Sequence, residues 1–258
     1  MLVLIFKTVQ GFTEAGYLET VAYITCFNKL IAMQLKIPID QQSSLEIVVF
    51  VSEMFGQNAY ILRKTNTNEC VLIDPSFDVG EIFDFLEKYS LKLAAILNTH
   101  GHIDHIVGND PLKKRFPDVP LVIGEFDAHK LVDPVANLSS GYGREVISPP
   151  ADYTVSHMQV ISYGGLDFET RLTPGHSPGH VVWIVDQTEV PVIINGDVLF
   201  DGSVGRTDFV DGSFEDLETS IREQLYTLPD DSIVLTGHGN LTTIGKEKAT
   251  NPFVRSEE

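Results

Sequence analysis

From Leu45 onward the chain is a succession of short apolar runs, separated by turn residues and by two stretches with helical spacing. Short apolar runs bounded by turn residues are typical of buried strands. The strand candidates are LEIVVFV, AYIL, CVLID, LAAIL, LVIG, MQVISY, VVWIV, PVIIN and SIVLTG. The helix candidates are VGEIFDFLEKYS and FEDLETSIREQLYTL. Because strands outnumber helices and alternate with them, the pattern predicts one α/β domain with two sheets.

The first 44 residues do not continue this pattern. They lack the basic lead and the small-residue cleavage site of a signal peptide, and charges interrupt them too often for a membrane span. The interrupting residues are Lys7, Glu14, Glu19 and Lys29. Residues 15–35 are compatible with one apolar-faced helix. We therefore predict an N-terminal extension of unknown role over residues 1–44 and one folded domain over residues 45–258.

The composition argues against several classes of function. The chain has 36 acidic and 18 basic residues, and the resulting formal charge of -18 repels nucleic acids and anionic membrane surfaces. Its two cysteines, Cys26 and Cys70, are far apart, so no disulfide framework is indicated and the cytoplasm is the predicted location. A soluble enzyme that acts on a small molecule fits this composition, whereas no oligomeric state is indicated.

Several of the predicted strands end in side chains that bind metals. LAAILN runs into THGHIDH, and similar residues follow RLTPG, PVIIN and SIVLTG. Because strand ends in open α/β sheets deliver loop side chains to one place, we expect these residues to converge. The candidates are His100, His102, Asp104, His105, His176, Asp197 and His238. Imidazole and carboxylate ligands suit zinc, iron or manganese, so the pattern predicts a catalytic metal site rather than a closed structural zinc site.

The spacing of these residues suggests which of them would bind each of two metal ions. His100 and His102 can point to the same side of an extended segment and bind one ion, whereas Asp104 and His105 are free to reach a second. The two oxygens of Asp197 suit a bridging position. Two metal ions about 3.5 Å apart can hold a shared hydroxide with a pKa of about 7, which is a nucleophile at neutral pH. Asp104 is suited to orient that hydroxide, so Asp104 and Asp197 are the predicted catalytic residues.

The segments THGHIDH, TPGHSPGH, NGD and TGHG, in this order and at these intervals, resemble the metallo-β-lactamase superfamily over about residues 45–253. GSVGRTDF and TTIGKEKATNPF are similar to segments of compact glyoxalase II-like hydrolases. The resemblance implies a four-layer αββα sandwich with a binuclear site at its edge. It assigns His100, His102 and His176 to one metal ion, Asp104, His105 and His238 to the other, and Asp197 to the position between them.

The resemblance also implies an activity. We expect a hydrolase with two divalent metal ions, zinc being favoured over iron and manganese, that cleaves a small thioester such as S-lactoylglutathione. A thiol with a pKa near 8.5 leaves with little help from a general acid. Full-length glyoxalase II enzymes add a C-terminal helical region that helps to hold glutathione, whereas this sequence continues for twenty residues after His238. Another acyl thioester, or an unrelated ester, therefore stays an alternative substrate.

Residues near the motifs are expected to support the ligands rather than to bind metal. His180 lies in the same loop as His176, and Arg206 and Asp208 are expected to pair and to brace the loop after Asp197. Further candidates for such support are Asp74, Asn58 and Tyr60, with a plain turn residue as the alternative for Asp74. His129 and His157 lie outside every motif and are expected to be ordinary histidines.

Other classes of protein remain as alternatives. Mononuclear iron persulfide dioxygenases also resemble this chain, including its GRTDF segment, but TTIGKEKATNPF and TPGHSPGH favour the hydrolase. Redox di-iron relatives carry a glutamate where His102 stands, and a binding module without metal would not need every ligand position filled. The negative charge argues against relatives that cut nucleic acids. The missing signal peptide argues against secreted β-lactamases.

Overall fold

The computed structural model describes the backbone of residues 12–13, 16–17, 22–26 and 29–255, and the side chains of residues 34–255. Strands β1 (Phe12–Thr13) and β2 (Gly16–Tyr17) pair in an antiparallel ribbon. The other described strands form two large sheets and one further ribbon. Among the described residues, no helix has the length and the apolar character needed to cross a membrane.

The first large sheet contains eight strands, which lie side by side in chain order. They are β3 (Ala22–Cys26), β4 (Lys29–Asp40), β5 (Ser43–Val51), β6 (Asn58–Lys64), β7 (Glu69–Ile73), β8 (Lys92–Leu97), β9 (Leu121–Gly124) and β10 (Tyr153–Val155). Neighbouring strands from β3 to β7 run antiparallel, whereas β7 to β10 run parallel. The carboxyl ends of β7 and β8 therefore lie at the same edge of the sheet.

The second large sheet follows in the chain. The remaining strands are β11 (Val160–Tyr163), β12 (Leu166–Leu172), β13 (Val181–Val185), β14 (Val192–Gly196), β15 (Leu199–Phe200), β16 (Ser203–Val204), β17 (Ile233–Thr236) and β18 (Thr242–Thr243). The sheet has the order β11, β12, β13, β14, β17, β18, and β15 pairs with β16 outside it. Because β14 and β17 are parallel, the residues that follow them emerge at one edge.

The main core lies between the two sheets. Alternate residues of β5, which are Leu45, Ile47 and Val49, share this core with Phe168 of β12 and Trp183 of β13, and all five are buried. Alternate residues of a strand point to opposite faces, so this spacing of buried side chains defines the inner face of β5. The indole of Trp183 and the ring of Phe168 are among the largest fully buried side chains.

Helices cover the outer face of each sheet. They are α1 (Val79–Lys88), α2 (Ile103–Ile106), α3 (Asn109–Arg115), α4 (Phe214–Ser220), which continues as a π turn (Ile221–Leu225), and α5 (Ile244–Thr250). Ile82 and Leu86 of α1 pack on the first sheet, whereas Leu217 and Ile221 pack on the second. The layers thus run helix, sheet, sheet, helix, and the predicted αββα sandwich is confirmed.

The sequence pattern located most of these elements. All nine strand candidates overlap observed strands, and the two helix candidates begin at α1 and α4. Strand β12 was missed because Asp167, Glu169 and Arg171 alternate with its buried residues and give it a polar composition. The burial alternates along β12 as it does in any strand with one face on the core.

The predicted helix over residues 15–35 is wrong in the part that the structure describes, where strands β2, β3 and β4 stand. Strand β4 pairs with β5, which buries Leu35 and Ile37 and exposes Lys36 between them. The spacing of the apolar residues in this segment fits a helix as well as a strand, and pairing with β5 selects the strand. The other residues of the segment, 15, 18–21 and 27–28, lie outside the described residues. The division of the chain at residue 45 stays a prediction.

Candidate metal centre

The seven predicted ligands lie on four loops at one edge of the sandwich. The loop after β8 and helix α2 carry His100, His102, Asp104 and His105, the loop before β13 carries His176, and Asp197 and His238 follow β14 and β17. The two sheets contribute neighbouring strand ends, so the structure brings all seven side chains together. Their role as metal ligands stays a prediction.

Asp74 shapes the loop that carries most of these residues. It follows β7, which is the parallel neighbour of β8. One carboxylate oxygen of Asp74 accepts a hydrogen bond from the Thr99 amide at 2.7 Å, and the other accepts one from the Thr99 hydroxyl at 2.6 Å. The second oxygen also lies 3.0 Å from Nδ1 of His105. Asp74 therefore fixes both the start of the loop and the orientation of His105, in agreement with its expected supporting role.

The ligand atoms form three overlapping clusters, of which one consists of His100, His105 and Asp197 and the other two share no residue. His100, His102 and His176 are the three-histidine group, and Asp104, His105 and His238 are the mixed group. Within each group the ligand atoms lie within 4.8 Å of one another, which is close enough for one ion to contact them all. These are the two sets that the family resemblance implies.

Asp197 lies between the two groups. Its Oδ1 is 3.5 Å from Nε2 of His105. Its Oδ2 is 3.5 Å from Nε2 of both His176 and His238. One carboxylate thus faces histidines of both groups, as a ligand shared by two cations must.

The donor atoms of the site fit divalent cations. Nε2 of His100, His102 and His105 and Oδ1 of Asp197 are buried and have no hydrogen-bond partner among the described residues. A buried polar atom without a partner costs free energy, and a cation would supply the missing interaction. None of the donors is a thiolate, and imidazole with carboxylate suits zinc, iron and manganese.

The far side of several imidazoles is held by the protein, which directs the other ring nitrogen inward. Nδ1 of His100 lies 3.1 Å from the hydroxyl oxygen of Thr99. Nδ1 of His176 lies 2.8 Å from the carbonyl oxygen of Arg206 and donates to it. Fixing one nitrogen in this way sets the tautomer and leaves the lone pair of the other nitrogen for a metal ion.

The three-histidine group is held in the neutral state. Burial lowers the pKa of His100 and of His102 well below its usual range, and the surrounding imidazoles lower it further. Burial also lowers the pKa of His176, against the opposing effect of Asp197. At neutral pH these rings therefore carry free lone pairs without losing a proton first.

The mixed group has the opposite electrostatics. Burial disfavours the charged form of His105, but the carboxylates of Asp104, Asp197 and Asp74 outweigh it and raise the pKa of His105 well above its usual value. Burial also opposes the charge of His238, whose hydrogen bond with Asp104 nevertheless raises its pKa.

The two carboxylates of the site are held in the ionised state. Burial raises the pKa of Asp104 and of Asp197, but His105 together with His238 and the hydrogen bonds to these histidines outweighs it and lowers each pKa below the usual carboxyl value. Both groups are therefore negative at neutral pH and can accept protons or bind cations.

His180 supports the site without belonging to either ligand group. Its ring stacks on His100 with a centroid distance of 4.8 Å. Its Nε2 accepts a hydrogen bond from the amide of Asp197 at 3.0 Å, so the proton of the neutral ring lies on Nδ1, which faces the Thr173 hydroxyl at 3.1 Å. These contacts agree with the supporting role that its position in the loop predicts.

The other predicted supports also lie next to the site. The Asn58 amide donates to the carbonyl oxygens of Thr236 and Gly239, and the Tyr60 hydroxyl donates to that of Thr236 at 2.6 Å. Both residues therefore hold the segment that carries His238. Arg206 and Asp208 pair through two hydrogen bonds of 2.6 and 2.7 Å, as expected. His129 and His157 are exposed and belong to neither ligand group.

Sequence reasoning missed three residues that touch the site. The Gln57 amide donates to the carbonyl of Asp74 and lies 3.5 Å from Nδ1 of His105. The ring of Phe209 lies 4.9 Å from that of His102. Asp127, which is fully buried, binds backbone amides of two ligand loops. Phe209 is the last residue of the GSVGRTDF segment, but the contacts of all three residues depend on which loops meet and are not evident from the sequence.

A cavity of about 340 Å³ opens above the ligands. Its lining includes Asp104 and Asp197 together with the aromatic side chains of Phe55, Tyr142 and Phe200. The floor is therefore ionic and the walls are largely apolar, which suits a small substrate with a polar reacting bond and an apolar portion.

Comparison with known families settles the relationship. Residues 53–238, which span all four ligand loops, match the family model of the metallo-β-lactamase superfamily. The chain belongs to this superfamily. It is a metallo-hydrolase of that superfamily, in which His and Asp clusters of this kind bind divalent metal ions.

Two curated relatives of this superfamily member cover most of its length. A probable metallo-hydrolase of Bacillus subtilis, YqgX, is 38% identical over 198 residues, which are 76% of this chain and 92% of the relative. Hydroxyacylglutathione hydrolase GloC of Haemophilus influenzae is 34% identical over 215 residues, which are 83% of this chain and 100% of the relative.

Three solved structures are similar to this superfamily member. BLEG-1 B3 metallo-β-lactamase has a TM-score of 0.77 and 36% identity, covering 81% of this chain and 100% of that one. TTHA1623 in a di-iron-bound form has a TM-score of 0.69 and 31% identity, covering 80% and 99%. ETHE1 from Myxococcus xanthus has a TM-score of 0.66 and 26% identity, covering 80% and 83%.

Proposed function

We propose that the chain hydrolyses a small acyl thioester and that S-lactoylglutathione is the first substrate to test. The observation that carries the proposal is the pair of ligand groups joined by Asp197 at the floor of one cavity. The similarity to GloC, a hydroxyacylglutathione hydrolase, supports a thioester as the substrate class. We also propose that the protein is located in the cytoplasm.

The proposal assigns one divalent metal ion to the three-histidine group and another to the mixed group, with Asp197 shared. Zinc is the proposed metal, and the di-iron form of TTHA1623 supports iron as the alternative. When bound, two such ions supply a nucleophile at neutral pH and stabilise the negative charge that develops on the attacked carbonyl oxygen. No other step requires a contribution from the ions.

Residues of the chain supply positioning. Asp104 lines the cavity and its low pKa keeps the carboxylate ionised, so it can accept a hydrogen bond from an attacking water and orient that water toward the carbonyl carbon. Asp197 holds the two ligand groups at a fixed separation. A thiolate is a good leaving group and departs with little help from a general acid.

The walls of the cavity favour exclusion of water around the acyl portion. Phe55 packs against Phe77 with a centroid distance of 5.5 Å and against Tyr142 with one of 5.4 Å. These contacts join the loop between β5 and β6 to the 3-10 helix Ser139–Tyr142 at the cavity. Aromatic walls bury apolar area of a substrate at little entropic cost to the protein.

A mononuclear iron persulfide dioxygenase is the second candidate function. The similarity to ETHE1 from Myxococcus xanthus, at 26% identity, is the observation that favours it. The two functions differ in their need for oxygen. A hydrolase releases thiol from a thioester without oxygen, whereas the dioxygenase consumes oxygen with glutathione persulfide.

Two assays on one preparation distinguish these functions. S-lactoylglutathione, a panel of other thioesters and one β-lactam are offered under anaerobic conditions, and thiol release or ring opening is followed. Oxygen uptake is then measured with glutathione persulfide. We expect thiol release from at least one thioester and no oxygen uptake. Oxygen uptake without thiol release from any thioester would overturn the proposal.

A further inference from the structure

Residues 127–130, which lie outside the ligand set, contact two of the loops that carry ligands and a third loop that packs against them. Asp127 immediately precedes the 3-10 helix Ala128–Val132, and both Asp127 and Lys130 are fully buried although they carry charge. Buried charges are costly unless they are paired or hydrogen-bonded, so their partners indicate what the segment holds in place.

The carboxylate of Asp127 joins the loop of His100 and His102 to the loop of His176. One oxygen accepts hydrogen bonds from the Gly101 amide, at 2.9 Å, and from the Ser177 hydroxyl. The other oxygen accepts one from the Gly179 amide at 2.8 Å. A carboxylate that binds backbone amides forms strong, charge-assisted hydrogen bonds.

Both ligand loops approach this segment so closely that only glycine fits at the contact. A Cβ atom at Gly101 would lie 2.5 Å from Cβ of Lys130, and a Cβ atom at Gly179 would lie 2.2 Å from the amide nitrogen of Asp127. These distances are far below van der Waals contact. The glycines of HGH and SPGH are thereby explained by the packing of residues 127–130.

Lys130 forms an ion pair with a third loop near the three-histidine group. Its Nζ lies 2.5 Å from a carboxylate oxygen of Asp211, in the loop between β16 and α4. In that loop the carbonyl of Arg206 accepts the hydrogen bond from Nδ1 of His176, and the ring of Phe209 packs on His102 and His176. Residues 127–130 therefore contact the surroundings of the three-histidine group from two directions.

The mixed group has different supports. His105 is held by Asp74 and Gln57, and the segment of His238 is held by Asn58 and Tyr60. The hydrogen bonds described for the Asp127 carboxylate go to the loops of the three-histidine group. Asp127 thus supports only loops of the three-histidine group, whereas Asp74 contacts both His105 and the Thr99 amide and hydroxyl beside His100.

We propose that Asp127 is a positioning residue for the three-histidine group, and that Lys130, through Asp211, holds the third loop against that group. The inference rests on the metal assignment of the proposed function. Because both oxygens of Asp127 accept from backbone amides, the amide of an asparagine cannot satisfy both, and the loops of His100 and His176 lose their common anchor. The mixed group keeps its own supports.

Zinc titration of the metal-free full-length chain tests this inference. Isothermal titration calorimetry compares the wild type with Asp127→Asn, with Asp74→Asn, and with Asp118→Asn, which makes the same change of charge at an exposed site. We expect two zinc equivalents in the wild type and a loss of ~10-fold or more in affinity for one of them in Asp127→Asn. Asp74→Asn, which changes contacts with both His105 and Thr99, is expected to weaken both equivalents, and Asp118→Asn neither.

Double variants identify the affected ion. Adding His102→Ala to Asp127→Asn should cost little more than His102→Ala alone, whereas adding Asp104→Asn should weaken both equivalents. If Asp127→Asn does not fold, Ser177→Ala, which removes one donor to the same carboxylate, is expected to show the same selectivity with a smaller effect.

The outcomes separate the two claims. Two zinc equivalents that Asp127→Asn, or Ser177→Ala in its place, leaves unchanged or weakens equally would overturn the inference and leave the proposed function intact. A wild-type chain that binds a single zinc equivalent would overturn both, because the inference needs two distinguishable groups.

Discussion

The two ligand groups share one carboxylate but differ in charge and in support. The three-histidine group consists of imidazoles whose pKa burial lowers, so it is a neutral set of lone pairs. In the mixed group, carboxylates raise the pKa of His105 and His238 against the effect of burial, so it is a charged set that holds protons. A metal ion that binds the three-histidine group therefore displaces no proton, whereas one that binds the mixed group must displace protons.

Asp197→Asn is expected to have the largest effect, because it is the contact common to both groups. Loss of its charge should lower the occupancy of both ions and reduce thioester turnover by more than ~100-fold. Elemental analysis and thiol-release kinetics on one preparation check this. Retention of two ions by the variant would show that Asp197 does not join the groups.

Asp104→Asn is expected to act on the mixed group alone. Turnover should fall by ~100-fold or more, because the variant weakens one ion and loses the group that orients the attacking water. One metal ion should remain, and elemental analysis distinguishes this result from that of Asp197→Asn. A fall in turnover of less than ~3-fold would remove Asp104 from the proposed catalytic residues.

His102→Ala sharpens the comparison from the other side. It should remove the ion of the three-histidine group and leave that of the mixed group, whose supports it does not touch. His157→Ala is the matched control, since His157 is exposed and lies outside both groups. If His157→Ala strips metal as effectively as His102→Ala, the ligand assignment fails.

The pH dependence of metal binding gives the smallest expected effect. A raised pKa means that His105 and His238 hold their protons to higher pH than ordinary histidines do, so zinc competes with protons in the mixed group. The affinity of the mixed group should therefore fall more steeply than that of the three-histidine group between about pH 8 and about pH 6. Calorimetry in buffers of different ionisation enthalpy counts the released protons, and equal proton release from both groups would contradict the comparison.

The convergence of the candidate ligands could be predicted from the sequence, whereas several of the residues that hold their loops could not, for a physical reason. Metal ligands must be a few residue types at strand ends, so THGHIDH and the three later histidine and aspartate positions stand out. Asp127, Lys130 and Gln57 act through contacts between loops that are distant in the chain, and nothing in their own neighbourhood in the sequence marks them.

The same reasoning explains the errors in the fold. The strands of the core were predicted because both of their faces are apolar, as in β13 and β14. Strand β4 was not, because its apolar residues fit a helix as well, and only the pairing of Leu35 with Ile47 and of Ile37 with Leu45 selects the strand. The local pattern of apolar residues therefore located the core strands, whereas the structure of β4 depends on the strand with which it pairs.

The metal content of the purified wild-type chain tests the central claim most directly. A binuclear centre has both ligand groups occupied and joined by Asp197, so elemental analysis of protein prepared without chelator should give close to two transition-metal ions per chain. A reproducible value of one ion per chain, with iron as the only metal, would contradict the binuclear centre and favour the dioxygenase.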